Sequence, residues 1–202
     1  VSTVIANQLV KDENLNICFL SLWERKKELF FSLNDEIQRY SLFEKTISGK
    51  KLFSYIKNIR KFVKSKDIDV LIDIDGILDL YSIPALTKTK CKLVSWEQFN
   101  FYYHPDGNYR KITRKWAAKK ADAIVVLTDE DKSYYEKEAK ITGKIVRIYN
   151  PIEKMQDSVA SFDINSKQII SAGRLTHQKG FDMLVDVAKN VLNKHPDWKW
   201  II

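Results

Sequence analysis

The chain has 202 residues, 45% hydrophobic and 30% charged, with six glycines and four prolines, which excludes disordered, collagen-like and low-complexity classes. Thirty-four Lys and Arg against 26 Asp and Glu give a formal charge of +8, which points to an anionic partner: nucleotide phosphates, anionic lipid or nucleic acid. No apolar run approaches the roughly 20 residues that cross a bilayer.

The start at Val1, without Met or a basic and apolar leader, predicts no signal peptide and a segment missing upstream. The two cysteines, Cys18 and Cys91, match no metal or redox spacing. They read as buried apolar thiols in a reducing compartment, with a cytoplasmic location as the default.

Short β-rich runs alternate with longer helical stretches, which predicts an α/β chain with a parallel sheet and helices on both faces. Residues 1–10 read as a helix, 15–22 as a strand, and 37–42 as a second strand lying toward an edge. Gly49 opens a long helix in which Leu52, Tyr55, Ile56, Ile59, Phe62 and Val63 recur at helical spacing. Lys50, Lys51, Lys57, Arg60, Lys61, Lys64 and Lys66 fill the remainder without an acid, so this helix is amphipathic and basic.

A strand follows at 69–74, a helix at 79–87, a strand at 92–96, a helix at 109–120 and a strand at 123–127. Thr128 is a good N-cap for a helix at 129–139, with Asp129 and Glu130 in its first turn where negative charge suits the helix dipole. Residues 145–148 form the last strand of this block, and Asn150-Pro151 ends the pattern. The expected organisation is a domain over 1–152 with its front strand missing, a polar linker over 153–166, and the start of a second domain over 167–202. The last part reads as strand 167–172, helix 181–193 and strand 198–202, one βαβ unit too small to bury both faces of its sheet.

Between that strand and helix lies the most informative stretch, Gly173-Arg174-Leu175 and then Gln178-Lys179-Gly180-Phe181-Asp182. In an open α/β sheet ligands collect at the carboxyl ends of strands, where helix N-termini offer N–H groups to anions. Gly173 allows close backbone approach, Arg174 offers a bidentate fork, Lys179 a mobile point charge, and Gly180 a flexible lead into the helix. Together they could clasp a diphosphate; solvated loop charges are the bland alternative.

With His195-Pro196-Asp197-Trp198, this stretch resembles the opening of the donor-binding domain of glycosyltransferase family 4, the retaining GT-B enzymes that use nucleotide-sugar donors. Ala121-Asp122 through Thr128, and Ile148-Tyr149-Asn150-Pro151-Ile152, resemble the end of that family's N-terminal domain. The resemblance implies two Rossmann-like domains, the second one cut short, with Arg174 and Lys179 holding the donor phosphates and stabilising the leaving nucleoside diphosphate. It also implies no metal and no cofactor, a nucleotide-sugar donor, and a saccharide acceptor, free or lipid-linked, in cell-surface polysaccharide assembly. The family's later pair of glutamates and its first strand and glycine-rich loop are not in this chain, which reads as an acceptor domain trimmed at its front plus the first βαβ unit of the donor domain.

Trp96, Glu97 and Gln98 end a strand at the expected cleft, and Gln98 stands where many relatives place a histidine. Gln does not exchange protons, so Glu97 is the expected acceptor or catalytic contact, with a structural cap as its alternative. His104, in the aromatic loop from Phe99 to Tyr103 and before Pro105, is the weaker acceptor-side residue, and the aromatics could line a sugar site.

Asp73-Ile74-Asp75-Gly76 also resembles the nucleophile motif of haloacid-dehalogenase phosphatases, in which the first Asp is phosphorylated and the second acts as acid and base. Asp129 and Asp131 would be the best later acidic pair, although both read more simply as a helix start. In the transferase reading Asp73 and Asp75 are strand-end polar residues facing the cleft. A third reading is a non-catalytic half domain that binds saccharide or membrane.

The basic helix and Arg110, Lys111, Arg114, Lys115, Lys119 and Lys120 read as solvated faces, or as a surface held against an anionic membrane leaflet. No recognised nucleic-acid motif accompanies the charge, so nucleic acid is not an expected partner.

Overall fold

The structure, a computed structural model, describes residues 1–24, 31–44, 52–104, 108–152, 161 and 163–202. The chain forms two compact units, Val1–Glu153 and Lys154–Ile202. Gly49, Lys50, Lys51, Pro105 and most of the expected linker, 153–160 and 162, lie outside the described residues.

The first unit runs α1 (Ser2–Leu9), β1 (Cys18–Trp23), β2 (Gln38–Phe43), α2 (Leu52–Ser65), β3 (Val70–Ile74), α3 (Asp79–Leu86), β4 (Lys92–Trp96), α4 (Asn108–Lys120), β5 (Ala123–Val126), α5 (Asp129–Glu138) and β6 (Lys144–Arg147). Every strand pair is parallel, as the alternation predicts. Among the described residues the strands do not form one sheet, however: β1 pairs with β2, while β3-β4-β5-β6 form a second sheet in sequence order. Right-handed crossovers between strands added in one direction carry α3, α4 and α5 to the same face.

That face holds the core. Leu93, Ile124 and Val126 of the sheet pack in one buried cluster with Ile59 and Val63 of α2, Ile83, Ala85 and Leu86 of α3, Ala117 and Ala118 of α4, and Tyr135 of α5. On the other face the outer-strand residues Val70, Ile72 and Val146 are exposed, while Trp96 and Val125 of the central strands are buried. Both cysteines are free thiols; Cys91 is buried, but Cys18 on β1 is only partly so.

Thr128 caps α5 as expected, its Oγ1 accepting from the Asp131 amide at 3.0 Å. Gly143, before β6, is held against the turn that precedes β5. A Cβ there would stand 2.4 Å from the Ala121 carbonyl oxygen and 2.5 Å from that of Asp122. Backbone cannot swing aside as a side-chain tip can, so Gly143→Ala is expected to cost about 3 kcal/mol or more, read as a fall in urea midpoint at unchanged slope.

The second unit is one parallel βαβ: β7 (Gln168–Ile170), α6 (Phe181–Lys194) and β8 (Lys199–Ile201). The Trp200 indole donates to Ser171 Oγ at 3.0 Å, and Lys167 pairs with Asp197, tying the start of β7 to the turn before β8.

Candidate functional site

Two places carry concentrated polar chemistry, one in each unit. In the first unit it is the carboxyl edge of the four-stranded sheet, where α/β folds place their ligands. The backbone leaves β3 at Asp75 with φ 118°, a conformation unusual for a residue with a Cβ. Two interactions hold it there: the Asp75 amide donates to the Trp96 carbonyl at 3.0 Å, and the Arg110 guanidinium grips its carboxylate through Nη1 at 2.6 Å and Nη2 at 3.2 Å. Arg110 also lies 4.4 Å over the Phe99 ring, which stacks on Tyr103.

Next to this clamp, Glu97 and Arg114 are each 1% exposed and bonded Nε to Oε2 at 2.7 Å. Glu97 Oε1 accepts from the amides of Gln98 and Phe99, both at 3.0 Å. Arg114 Nη1 donates to the carbonyls of Phe101 and Tyr103, both at 2.8 Å, and meets His104 Nδ1 at 3.0 Å. Gly76 makes room for the pair, since a Cβ there would come 2.8 Å from Glu97 Oε2.

This geometry corrects two expectations. Glu97 offers no free oxygen to a reacting group; its carboxylate shapes the 97–104 loop and neutralises Arg114. Arg110 and Arg114 do not belong to a solvated basic face but turn inward, four residues apart on α4, onto strand-end acids. Burial and the charges of Arg114 and Lys111 lower the His104 pKa, which favours the neutral ring accepting at Nδ1 and carrying its proton on Nε2.

Gln98 faces Asn150, whose Nδ2 donates to Gln98 Oε1 at 3.0 Å. Gln98 Nε2, Asn150 Oδ1, Trp96 Nε1 and Arg114 Nη2 are buried at this edge without a partner among the described residues. Buried polar groups are nearly always paired with protein, water or ligand, so this edge suits hydroxyl-bearing ligands and water.

Asp73 does not face a cleft. It is 4% exposed, points into the core under α3, and accepts from Ser82 Oγ at 3.0 Å. Asp79, also buried, accepts from Ser95 Oγ at 2.6 Å, while Asp73 Oδ2 and Asp79 Oδ1 are buried without a partner among the described residues. Desolvation pushes the Asp73 pKa up to about 7, and desolvation plus the Asp73 charge pushes that of Asp79 well above its ordinary value.

Asp73 is thus a hydrogen-bonded core residue inaccessible to a phosphate ester, and Asp75 is clamped by Arg110, so the phosphatase reading has neither nucleophile nor free acid. Of the later pair weighed for it, Asp131 is buried and accepts from the Phe101 amide at 2.7 Å, and Asp129 pairs with Arg147 at 2.9 Å. Among the described residues no three His, Cys, Asp or Glu side chains gather as ligands for an ion.

The raised carboxyl sets a pH dependence. Between about pH 4 and pH 7 the folded chain keeps a proton that the unfolded chain releases, so stability falls as pH rises through that window and levels off above it. Asp73→Asn keeps the shape and an acceptor for Ser82 Oγ without the charge. It is expected to gain of order 2 to 4 kcal/mol over wild type at pH 8, with the gain shrinking toward pH 4, in urea melts at the two pH values.

In the second unit, the segment after β7 passes Gly173 and Arg174, makes a 3₁₀ turn at His177–Lys179, and enters α6 through Gly180 at φ 65°, a left-handed position that glycine adopts freely. A Cβ on Gly173 would meet the Phe181 ring at 3.0 Å and stand 3.9 Å from Lys179 Cγ, so the Lys179 stem runs beside the residue preceding Arg174. Arg174 and Lys179 are exposed, and no ion pair or side-chain hydrogen bond engages either among the described residues. Two available cations flank the first turn of α6, whose free amides complement anions.

Sequence reasoning missed Arg110, Arg114, Asp79, Ser82 and Asn150. The available signal was the i, i+4 spacing of Arg110 and Arg114 on a helix that follows two strand-end acids.

No protein-family model matches the chain. It is 32% identical over 199 residues to a glycosyltransferase of Haemophilus influenzae without further characterisation, covering 98% of this chain and 55% of that one. It is 23% identical over 205 residues to the amylovoran biosynthesis glycosyltransferase AmsD of Erwinia amylovora, covering 97% and 55%. The chain therefore spans about half the length of these relatives. Among solved structures, the apo form of the lipopolysaccharide outer core galactosyltransferase WaaB matches 70% of this chain and 39% of its own, with a TM-score of 0.51 at 20% identity. The likeness establishes a Rossmann-like α/β fold of the kind found in GT-B glycosyltransferases.

Proposed function

We propose that this chain is part of a retaining family 4 glycosyltransferase that moves a hexose from a nucleotide-diphosphate sugar to a saccharide acceptor in cell-surface polysaccharide assembly. The observation that carries this reading is the pair of available cations, Arg174 and Lys179, at the first turn of α6, supported by relatives that are glycosyltransferases and by AmsD, whose name places it in amylovoran biosynthesis. The unit over 154–202 is read as the start of the donor side, and the unit over 1–153 as the acceptor side.

In the mechanism proposed here, charge accumulates on the diphosphate as the bond to the anomeric carbon breaks. Arg174 spreads that charge through a two-pronged guanidinium, Lys179 adds a point charge, and the α6 amides complete the cradle, so the leaving group needs no metal ion. On the acceptor side, Trp96, Gln98, Asn150 and neutral His104 orient the acceptor hydroxyls. The Arg110–Asp75 and Arg114–Glu97 pairs keep the loop that carries them in place.

The test is release of nucleoside diphosphate from nucleotide sugars by the complete polypeptide that contains this chain, in wild type and Arg174→Ala. Loss of release on substitution supports the reading. Release that is undiminished overturns the role of Arg174, and absence of release with any nucleotide sugar overturns the transferase.

A further inference from the structure

We propose that the outward face of α4, together with that of α2, seats the first unit on an anionic lipid surface, with Tyr109 and Ile112 entering the headgroup layer. On α4, Tyr109, Ile112 and Trp116 follow one another at i, i+3 and i+7, and Lys111, Lys115 and Lys119 at i, i+4 and i+8. Helical geometry makes these two adjacent parallel stripes. Tyr109 is 64% and Ile112 59% exposed, Trp116 is partly buried, and the three lysines are exposed.

The buried flank is the one that carries Arg110, Thr113, Arg114, Ala117 and Ala118. Removing Arg110 and Arg114 from the solvent face therefore sharpens the argument: what remains outside is a lysine row beside an apolar row, as in helices that lie in a membrane interface. Lysine stems reach from such a helix to phosphates while aromatic and aliphatic groups enter the headgroup level.

A second helix repeats the pattern. On α2, Phe53, Lys57, Lys61 and Lys64 occupy the solvent side, and Phe53 is 80% exposed. Neither helix contains Asp or Glu, so both faces are cationic without internal compensation. Both pack on the short α3, which places them on the same side of the sheet. Among the described residues no helix is long and apolar enough to cross a membrane, so the contact proposed is with the surface. A lipid-linked acceptor would be met at such a surface, but the inference stands on the helices and not on the transferase reading.

Sedimentation of the complete polypeptide with vesicles tests it, using phosphatidylcholine alone and phosphatidylcholine with about one-third phosphatidylglycerol. Binding is expected to the anionic vesicles and not to the neutral ones. The triple substitution Lys111→Glu, Lys115→Glu, Lys119→Glu is expected to weaken it roughly 100-fold. Ile112→Glu is expected to weaken it about tenfold without changing the melting temperature, because the position is exposed.

Equal affinity for the two vesicles, or a triple variant that binds as wild type does, overturns the proposal. An Ile112→Glu variant with unchanged binding overturns insertion. The readout needs no sugar, so a polypeptide that binds vesicles without transferring keeps this inference and loses the proposed function, and the reverse holds equally.

Discussion

Arg174→Ala in the complete polypeptide is expected to lower sugar transfer about a hundredfold, the effect of removing one charge-stabilising group from a developing anion. Under the proposed mechanism the loss should fall on kcat more than on the donor KM, because that mechanism sets Arg174 against a charge that grows as the bond breaks. Arg174→Lys should recover only part of it, since a point charge cannot reproduce a planar fork. Fold integrity is not at risk: Arg174 is exposed and its side chain holds no partner among the described residues, so the melting temperature should not move. Pre-steady-state transfer with saturating donor would separate the two contributions, and an unchanged kcat with a raised KM would reassign Arg174 to ground-state donor binding.

The largest stability effect is expected at Arg114. Its side chain gathers Glu97, the carbonyls of Phe101 and Tyr103, and His104 at a place 1% exposed. Arg114→Ala removes the nearer counter-charge of a buried carboxylate, leaving Arg110 Nη1 at 3.7 Å from Glu97 Oε1, and leaves two carbonyls without donors, a loss of about 3 to 5 kcal/mol. For a chain of this size that is a fall of about 10 °C in melting temperature. Glu97→Gln in the Arg114→Ala background should restore part of the loss by removing the stranded charge, and the double-mutant cycle measures the coupling. Additive losses would show that the two residues act independently.

The sequence by itself determined the order and kind of the elements, because hydrophobic period, caps and turn residues act over a few positions. The α/β alternation, the Thr128 cap and the Gly180 lead into α6 are all of this local kind. So is the placement of Arg174 and Lys179 between a strand and a helix.

Tertiary structure alone decided which charges face water. Asp75 meets Arg110 across 35 positions and Glu97 meets Arg114 across 17, and no local pattern separates those arginines from the lysines beside them on α4. Asp73 reads as a strand-end acid, yet the packing of α3 buries it against Ser82, and desolvation raises its pKa. The division of the strands between two sheets is likewise invisible in strand propensity, since pairing partners are chosen by which faces can be buried together and not by the strand's own composition.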